Sequence, residues 1–348
     1  MIFKMFHAEQ LRDLFSLLSA NKIVGPICKG KDKNSKELYD FDLVYDFNKL
    51  KIDYDQTIHS AKKFCLPYRE DTSTFIFSDD DWQKQVDFGS HYPLVFFGLH
   101  PCDINGLNKL DKVLMGNLYP NPFYGAKRQN MLIIGHSCEP QPACFCKSMG
   151  TDTVLSGCDL FLTRLGDDYF AEVHSSRAYH LLEQLDMRDP GKKDHDLFRA
   201  ALQQKNDSFT STVDTSDLTK ILDMEFKSDV WQDWGDKCLS CGTCAQVCPT
   251  CYCYGIEEKV DMDLSRASKS KQLYSCNLVD FAEVAGRHNF RPESHTRLKY
   301  RYYHKHRGFV EAFEESLCTG CGRCGNACLA NITVPEVIGS VRGGSHES

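Results

Sequence analysis

Two cysteine runs with the same internal spacing carry the clearest chemistry in this chain. Cys238-x2-Cys241-x2-Cys244-x3-Cys248 recurs as Cys318-x2-Cys321-x2-Cys324-x3-Cys328, the copies starting 80 residues apart, and both contain Cys-x-x-Cys-Gly-x-Cys. A cubane [4Fe–4S] cluster needs four thiolates around a compact body. Three from a tight C-x2-C-x2-C loop reach three irons, and in two-cluster arrangements the fourth comes from the other run. The spacing assigns Cys238, Cys241, Cys244 and Cys328 to a first cluster, and Cys318, Cys321, Cys324 and Cys248 to a second. Gly242 and Gly322 suit the reversal inside each loop, because glycine accepts positive φ without strain. Pro249 follows the first run; Leu329 stands in the matching place after the second and removes no ligand. Structural zinc is the plainer alternative. Zinc sites usually pair C-x2-C units, four ligands to a site, and the doubled 2-2-3 spacing favours iron and sulfide.

The chain holds eighteen cysteines, eleven of them between Cys238 and Cys328. Such crowding, with no export signal in Met1–His7, reads as metal ligation in a reducing compartment. Cys244-x3-Cys248-x2-Cys251 has radical-SAM spacing, yet it lies inside the first run with too little chain after it for the usual barrel. Cys251, Cys253 and Cys276 form a trio one ligand short of a cluster. It is open between redox activity, completion by a cysteine from the first domain, and packing. Cys102, Cys138, Cys144 and Cys146 form a second group. Cys102 follows the apolar run Leu94–Leu99 and Cys138 follows Met131–Ser137. If these runs are neighbouring parallel strands, both cysteines lie at carboxyl ends, where ligands gather in open α/β sheets. Cys144 and Cys146 could fold over the same edge. The quartet is open between a further iron–sulfur cluster and buried apolar thiols. Cys28, Cys65 and Cys158 are isolated and read as structural.

Positioning these residues requires two kinds of domain. Leu11, Leu14, Phe15 and Leu18 mark one face of a helix over His7–Asn21. Leu94–Leu99 and Met131–Ser137 fit buried strands. Asp103 is placed to cap a helix whose inner face is Ile104, Leu107, Leu110 and Leu114. Gly166-Asp167-Asp168 joins Cys158–Leu165 to Tyr169–His174 as a hairpin. His180–Leu185 and Leu197–Leu202 are helical pieces; Asp186–Asp196 and Lys205–Asp217 read as loops. The predicted fold class is α+β: an N-terminal α/β domain over 1–225, then a ferredoxin-like two-cluster domain over 226–340. A long insertion, about 254–315, separates the cysteine runs. Within it, Arg297–Arg307 is basic and aromatic. A solvated helix face is the first reading, with docking of an acidic partner or charge balance for the clusters as alternatives. Gly343–Ser348 reads as a frayed tail.

A net charge of −7 argues against nucleic acid as a partner. No apolar stretch approaches the about 20 residues of a spanning helix. There is no G-x-G-x-x-G after a strand and no Walker loop, so no flavin or nucleotide is expected on this chain. No catalytic triad or paired carboxylates are legible, and no catalytic residue is assigned.

Beyond the doubled run, Pro101-Cys102-Asp103, Cys144–Thr151, Pro249-Thr250-Cys251-Tyr252-Cys253, Ser275-Cys276 and Ala285–Arg291 resemble one family over about residues 90–335. It is the family of the iron–sulfur beta subunit of cytoplasmic NiFe sulfhydrogenases and of the A subunit of anaerobic sulfite reductase. Leu329 departs from the family's usual proline. The resemblance implies a cytoplasmic, non-catalytic electron-transfer subunit with two [4Fe–4S] clusters. Its implied partners are a flavoprotein that oxidises NAD(P)H and a catalytic redox subunit, hydrogenase or sirohaem reductase. Related subunits serve flavin oxidoreductases feeding heterodisulfide reductase. The competing readings are an enzyme with its own sulfur-reducing cluster in the N-terminal domain, and a structural zinc module.

Overall fold

A computed structural model describes residues 2–78, 80–88 and 93–343; residues 344–348 of the expected tail lie outside them. The strands of four or more residues are β1 (Ile2–His7), β2 (Lys22–Lys31), β3 (Glu37–Leu43), β4 (Arg69–Phe77), β5 (Trp82–Gln85), β6 (Leu94–Leu99), β7 (Met131–His136), β8 (Leu160–Leu165), β9 (Asp168–Val173), β10 (Tyr254–Val260) and β11 (Arg266–Leu273). Seven build one sheet in the order β1-β9-β8-β7-β6-β2-β3. Its centre, β2-β6-β7-β8, is parallel, and β3 and β9 close each side antiparallel.

The apolar runs of β6 and β7 are buried because both faces of the sheet are covered, as the centre of a parallel sheet requires. Val95, Phe97 and Ile134 pack on one face with Leu14 and Phe15 of the helix Leu11–Leu17. Phe96, Leu99 and Ile133 pack on the other with Ile104, Leu107, Leu110 and Leu114. Those four residues recur every three or four positions along the helix Pro101–Leu114, which makes one apolar face. A register shift between Phe97 and Leu99 returns Leu99 to the face that Phe96 occupies, as a bulge does.

Pro101 starts this helix and His100 is its N-cap residue. Asp103, expected as the cap, sits in the first turn instead, where its carboxylate accepts from Arg323 Nη2 at 2.6 Å. Its other oxygen accepts from Ala61 N at 3.4 Å, so both are engaged away from the helix start. The segment 186–196, expected as a loop, already contains the start of the helix Lys192–Asp207; Asp194 supports its first turn by accepting from Gly191 N.

A second sheet has the order β10-β11-β4-β5. Here β10 and β11 belong to the segment between the cysteine runs, while β4 and β5 belong to the first ninety residues. Hydrogen bonding thus crosses the position near 225 where the sequence suggests a boundary. A third apolar core holds Trp231, Trp234, Leu298, Tyr302, Val337 and Ile338, from the helices Val230–Lys237, Ser294–Tyr303 and Val334–Val341. The second cysteine loop is clamped to the first part of the chain. Phe145 N donates to Gly320 O at 2.8 Å, Thr151 Oγ1 to Thr319 O at 2.6 Å, and Gln56 Nε2 to Cys321 O at 2.5 Å. No helix among the described residues is long and apolar enough to cross a membrane.

Candidate metal centres

The two cysteine loops have the same local shape. Gly242 (φ 77°, ψ −8°) and Gly322 (φ 74°, ψ −10°) each turn the chain into a one-turn helix, Thr243–Gln246 and Arg323–Asn326. At positive φ a side chain would be strained, and at Gly322 a Cβ would also lie 2.4 Å from Ala143 O. The turn lets three cysteines of each loop face one interior point.

Two cavities lie beside these loops. Cys238, Cys241, Cys244, Cys324 and Cys328 line the first, with Asn277, Leu298, Arg301 and Tyr302. Cys248, Cys318, Cys321 and Cys324 line the second, with Thr319, Arg301 and Lys305. Each cavity is therefore lined by three cysteines of one run and the last cysteine of the other, the first cavity by Cys324 as well. Cys324 and Arg301 border both. Among the described residues no three His, Cys, Asp or Glu side chains stand close enough together to hold a single metal ion; the cysteines surround cavities.

The polar groups around these cavities fit a polyanionic iron–sulfur body. Arg301 is buried with its Nε unpartnered, and Thr319 Oγ1 is buried and unpartnered too. Buried donors normally find partners, and both of these residues line a cavity. Asn277 Nδ2 donates to Cys244 Sγ at 3.2 Å. Lys305 Nζ reaches Cys248 Sγ at 3.5 Å and Thr250 Oγ1 at 2.9 Å. Burial disfavours the Lys305 charge, but the neighbouring Cys248 and Cys251 thiolates outweigh it and push its pKa up. No carboxylate pairs with Arg301 or Lys305 among the described residues, so the cysteines are the main source of negative charge beside both buried cations.

The segment Arg297–Arg307 corrects its first reading as a solvated face. Arg297, Arg301, Lys305 and His306 are buried. Residues 297, 301 and 305 share one side of the helix at i, i+4 spacing. A π turn, His304–Gly308, follows it, a geometry frequent at functional sites. Arg297 braces the first loop by donating to Ser240 Oγ at 2.8 Å and to Asn277 O at 3.0 Å.

The four cysteines of the first domain also come together. β6 and β7 are parallel neighbours, Cys102 and Cys138 lie past their carboxyl ends, and Cys144 and Cys146 fold across. All four line one cavity with Gln56, His100 and Lys205. Cys251 is close enough to Cys248, and Cys253 to Cys276, for hydrogen bonds between the side chains; Lys62 Nζ, also buried, donates to Cys251 O at 2.7 Å. Cys65 and Cys158 are packed in the apolar core of the large sheet, where burial pushes each thiol up to about 12. Cys28 is exposed.

A family model described as a 4Fe-4S dicluster domain matches residues 237–332. The beta subunit of sulfhydrogenase 2 from Pyrococcus furiosus is 35% identical over 341 residues, which cover 97% of this chain and 98% of that protein. The chain belongs to the sulfhydrogenase beta-subunit family. No solved structure matches it. This member of the beta-subunit family is an iron–sulfur, electron-transfer protein with a domain for two [4Fe–4S] clusters. Sequence reasoning missed Asn277 and Arg323 as neighbours of the cysteines, and reached Arg301 and Lys305 only through the alternative that the segment 297–307 balances the charge of the clusters. The four-residue spacing of Arg297, Arg301 and Lys305 was the one available signal for a shared helix face.

Proposed function

We propose that this chain is the electron relay of a multi-subunit oxidoreductase, standing between a flavoprotein that oxidises NAD(P)H and a hydrogenase-type catalytic subunit. The first cluster is assigned to Cys238, Cys241, Cys244 and Cys328, and the second to Cys318, Cys321, Cys324 and Cys248. One-electron storage is what such clusters supply when bound. The observation that carries the reading is the exchange of the last cysteine between runs, around two cavities that share Arg301.

The chain's own residues have three tasks in this role. The cysteines hold the clusters. Arg301 and Lys305 offset their negative charge from inside the protein, where water is scarce and each charge acts strongly. Leu298, Tyr302 and Phe145 keep water from the inner walls. The first site is the one near the surface: Cys241 is exposed, and Leu239 and Leu329 on its rim are 61% and 83% exposed. Exposed apolar groups around a redox site suit docking of a partner. A sirohaem or heterodisulfide reductase partner would use the same rim, since the distinguishing chemistry lies on those chains.

The test is reconstitution of the full chain with a flavoprotein partner under anaerobic conditions. Reduced flavin should bleach the broad visible absorption of the chain. Cys241→Ser should lose about half of the iron of the two clusters and cut onward transfer to the catalytic subunit at least tenfold. Unchanged iron content and unchanged transfer in that variant would overturn the assignment.

A further inference from the structure

Cys102, Cys138, Cys144 and Cys146 come from three separate segments: the first turn of the helix Pro101–Leu114, the loop after β7, and the start of the turn Cys146–Met149. Chain topology alone brings them to one place, the carboxyl edge of the parallel strands. Their cavity holds about 20 Å³ of free space, the same as the cavity of the second dicluster site.

Cys65 and Cys158 show what a merely packed cysteine looks like in this protein, since both lie among aliphatic and aromatic side chains of the large core. The quartet does not. Cys102, Cys144 and Cys146 group only with Cys321 and Phe209, and the remaining walls include Gln56, His100, Thr151, Asp152 and Lys205. Apolar packing does not leave a void beside four thiols, because protein interiors close such gaps. All four are free of disulfides.

The surroundings repeat a feature of the two dicluster cavities. Arg301 borders the first and second; Arg323 occupies the matching place between the second and this one. Its Nη1 lies 3.9 Å from Cys102 Sγ, and its charge also acts on Cys321. Its side chain and that of Asp103 are each 1% exposed. Gln56 Nε2 stands 4.0 Å from Cys144 Sγ. As free thiols, Cys144 and Cys146 lie 3.5 Å from Cys321 O and Gly320 O, on the loop that carries a ligand of the second site.

We propose that Cys102, Cys138, Cys144 and Cys146 hold a third [4Fe–4S] cluster in the N-terminal domain, next to the second site. It extends the row of cofactors away from the Cys241 face toward an open groove that Cys138, Lys205 and His136 also line. This rests on the relay reading, in that the third cluster continues the same row.

The test is iron and acid-labile sulfide analysis of the full chain, prepared anaerobically and reconstituted with ferrous iron and sulfide. About twelve irons per chain are expected. Cys144→Ser and Cys138→Ser should each lower the count to about eight and leave the signals of the other two clusters in place. A parent chain with about eight irons, or one zinc bound at the quartet, overturns the third site and leaves the relay standing. A parent chain with about four irons or none overturns the relay reading itself. The parent count decides even where a variant does not fold.

Discussion

At the scale of single residues, the unpaired cations are the part of the site with the sharpest consequences. Arg301 and Lys305 face thiolates and no carboxylate, so each favours the more negative, reduced form of a neighbouring cluster. Arg301→Gln should lower the reduction potentials of both clusters, and Lys305→Met mainly that of the second. Potentiometric titration followed by electron paramagnetic resonance reads this directly; unchanged potentials in Arg301→Gln would remove the residue from its role.

Arg323 is different, because Asp103 neutralises it. Removing one partner leaves a buried charge alone, so Arg323→Met should cost about 3–5 kcal/mol in urea unfolding, and Arg323→Met with Asp103→Leu should recover much of the loss. His136 and His306 add a pH dependence. Burial holds the first down to about 4 and the second to about 3, against an ordinary 6.5. Below 6.5 the unfolded chain takes up protons that the folded chain refuses, so stability falls as the pH drops from about 6.5 toward 4. His306→Gln should flatten that slope.

The eight cysteines proposed as ligands stand out in the sequence because iron–sulfur chemistry fixes their spacing locally. Their surroundings are not fixed in that way. Whether Arg301 is solvated depends on what lies across from its helix, and the spacing of the basic residues says only that they share a face.

At the scale of elements, the strands β6 and β7 and the helix Pro101–Leu114 announce themselves through apolar runs and period. β10 and β11 do not. Glu257, Glu258, Lys269 and Lys271 give them no apolar alternation, and their register against β4 is set by pairing partners nearly 200 residues away, such as Ser270 opposite Asp71. Ser270 is buried in β11, the inner strand of the trio β10-β11-β4. Ser270→Pro should remove a ladder hydrogen bond and destabilise by about 1–3 kcal/mol. Hydrogen exchange should then rise together in 69–77 and 254–260. A rise confined to one of these segments would deny that they form one sheet.

At the scale of the whole molecule, two cysteine runs, an insertion and an α/β domain form a row of cysteine-lined cavities from the exposed Cys241 rim to the strand edge near Cys138. Buried arginines stand between successive members. The duplication predicted the first two cavities, and parallel pairing of two short apolar runs led to the third. The interlock could not be foreseen, since it depends on Gln56, Thr151 and Arg323 making contacts with residues about half the chain away or more.

The crossed ligation at the centre of this row is tested most directly by resolving the electron paramagnetic resonance of the reduced clusters in single cysteine variants of the full chain. The expected result is that Cys328→Ser perturbs the same signal as Cys241→Ser, and that Cys248→Ser perturbs the same signal as Cys321→Ser. Pairing of Cys328→Ser with Cys321→Ser instead, or a colourless anaerobic protein with no signal at all, would contradict it.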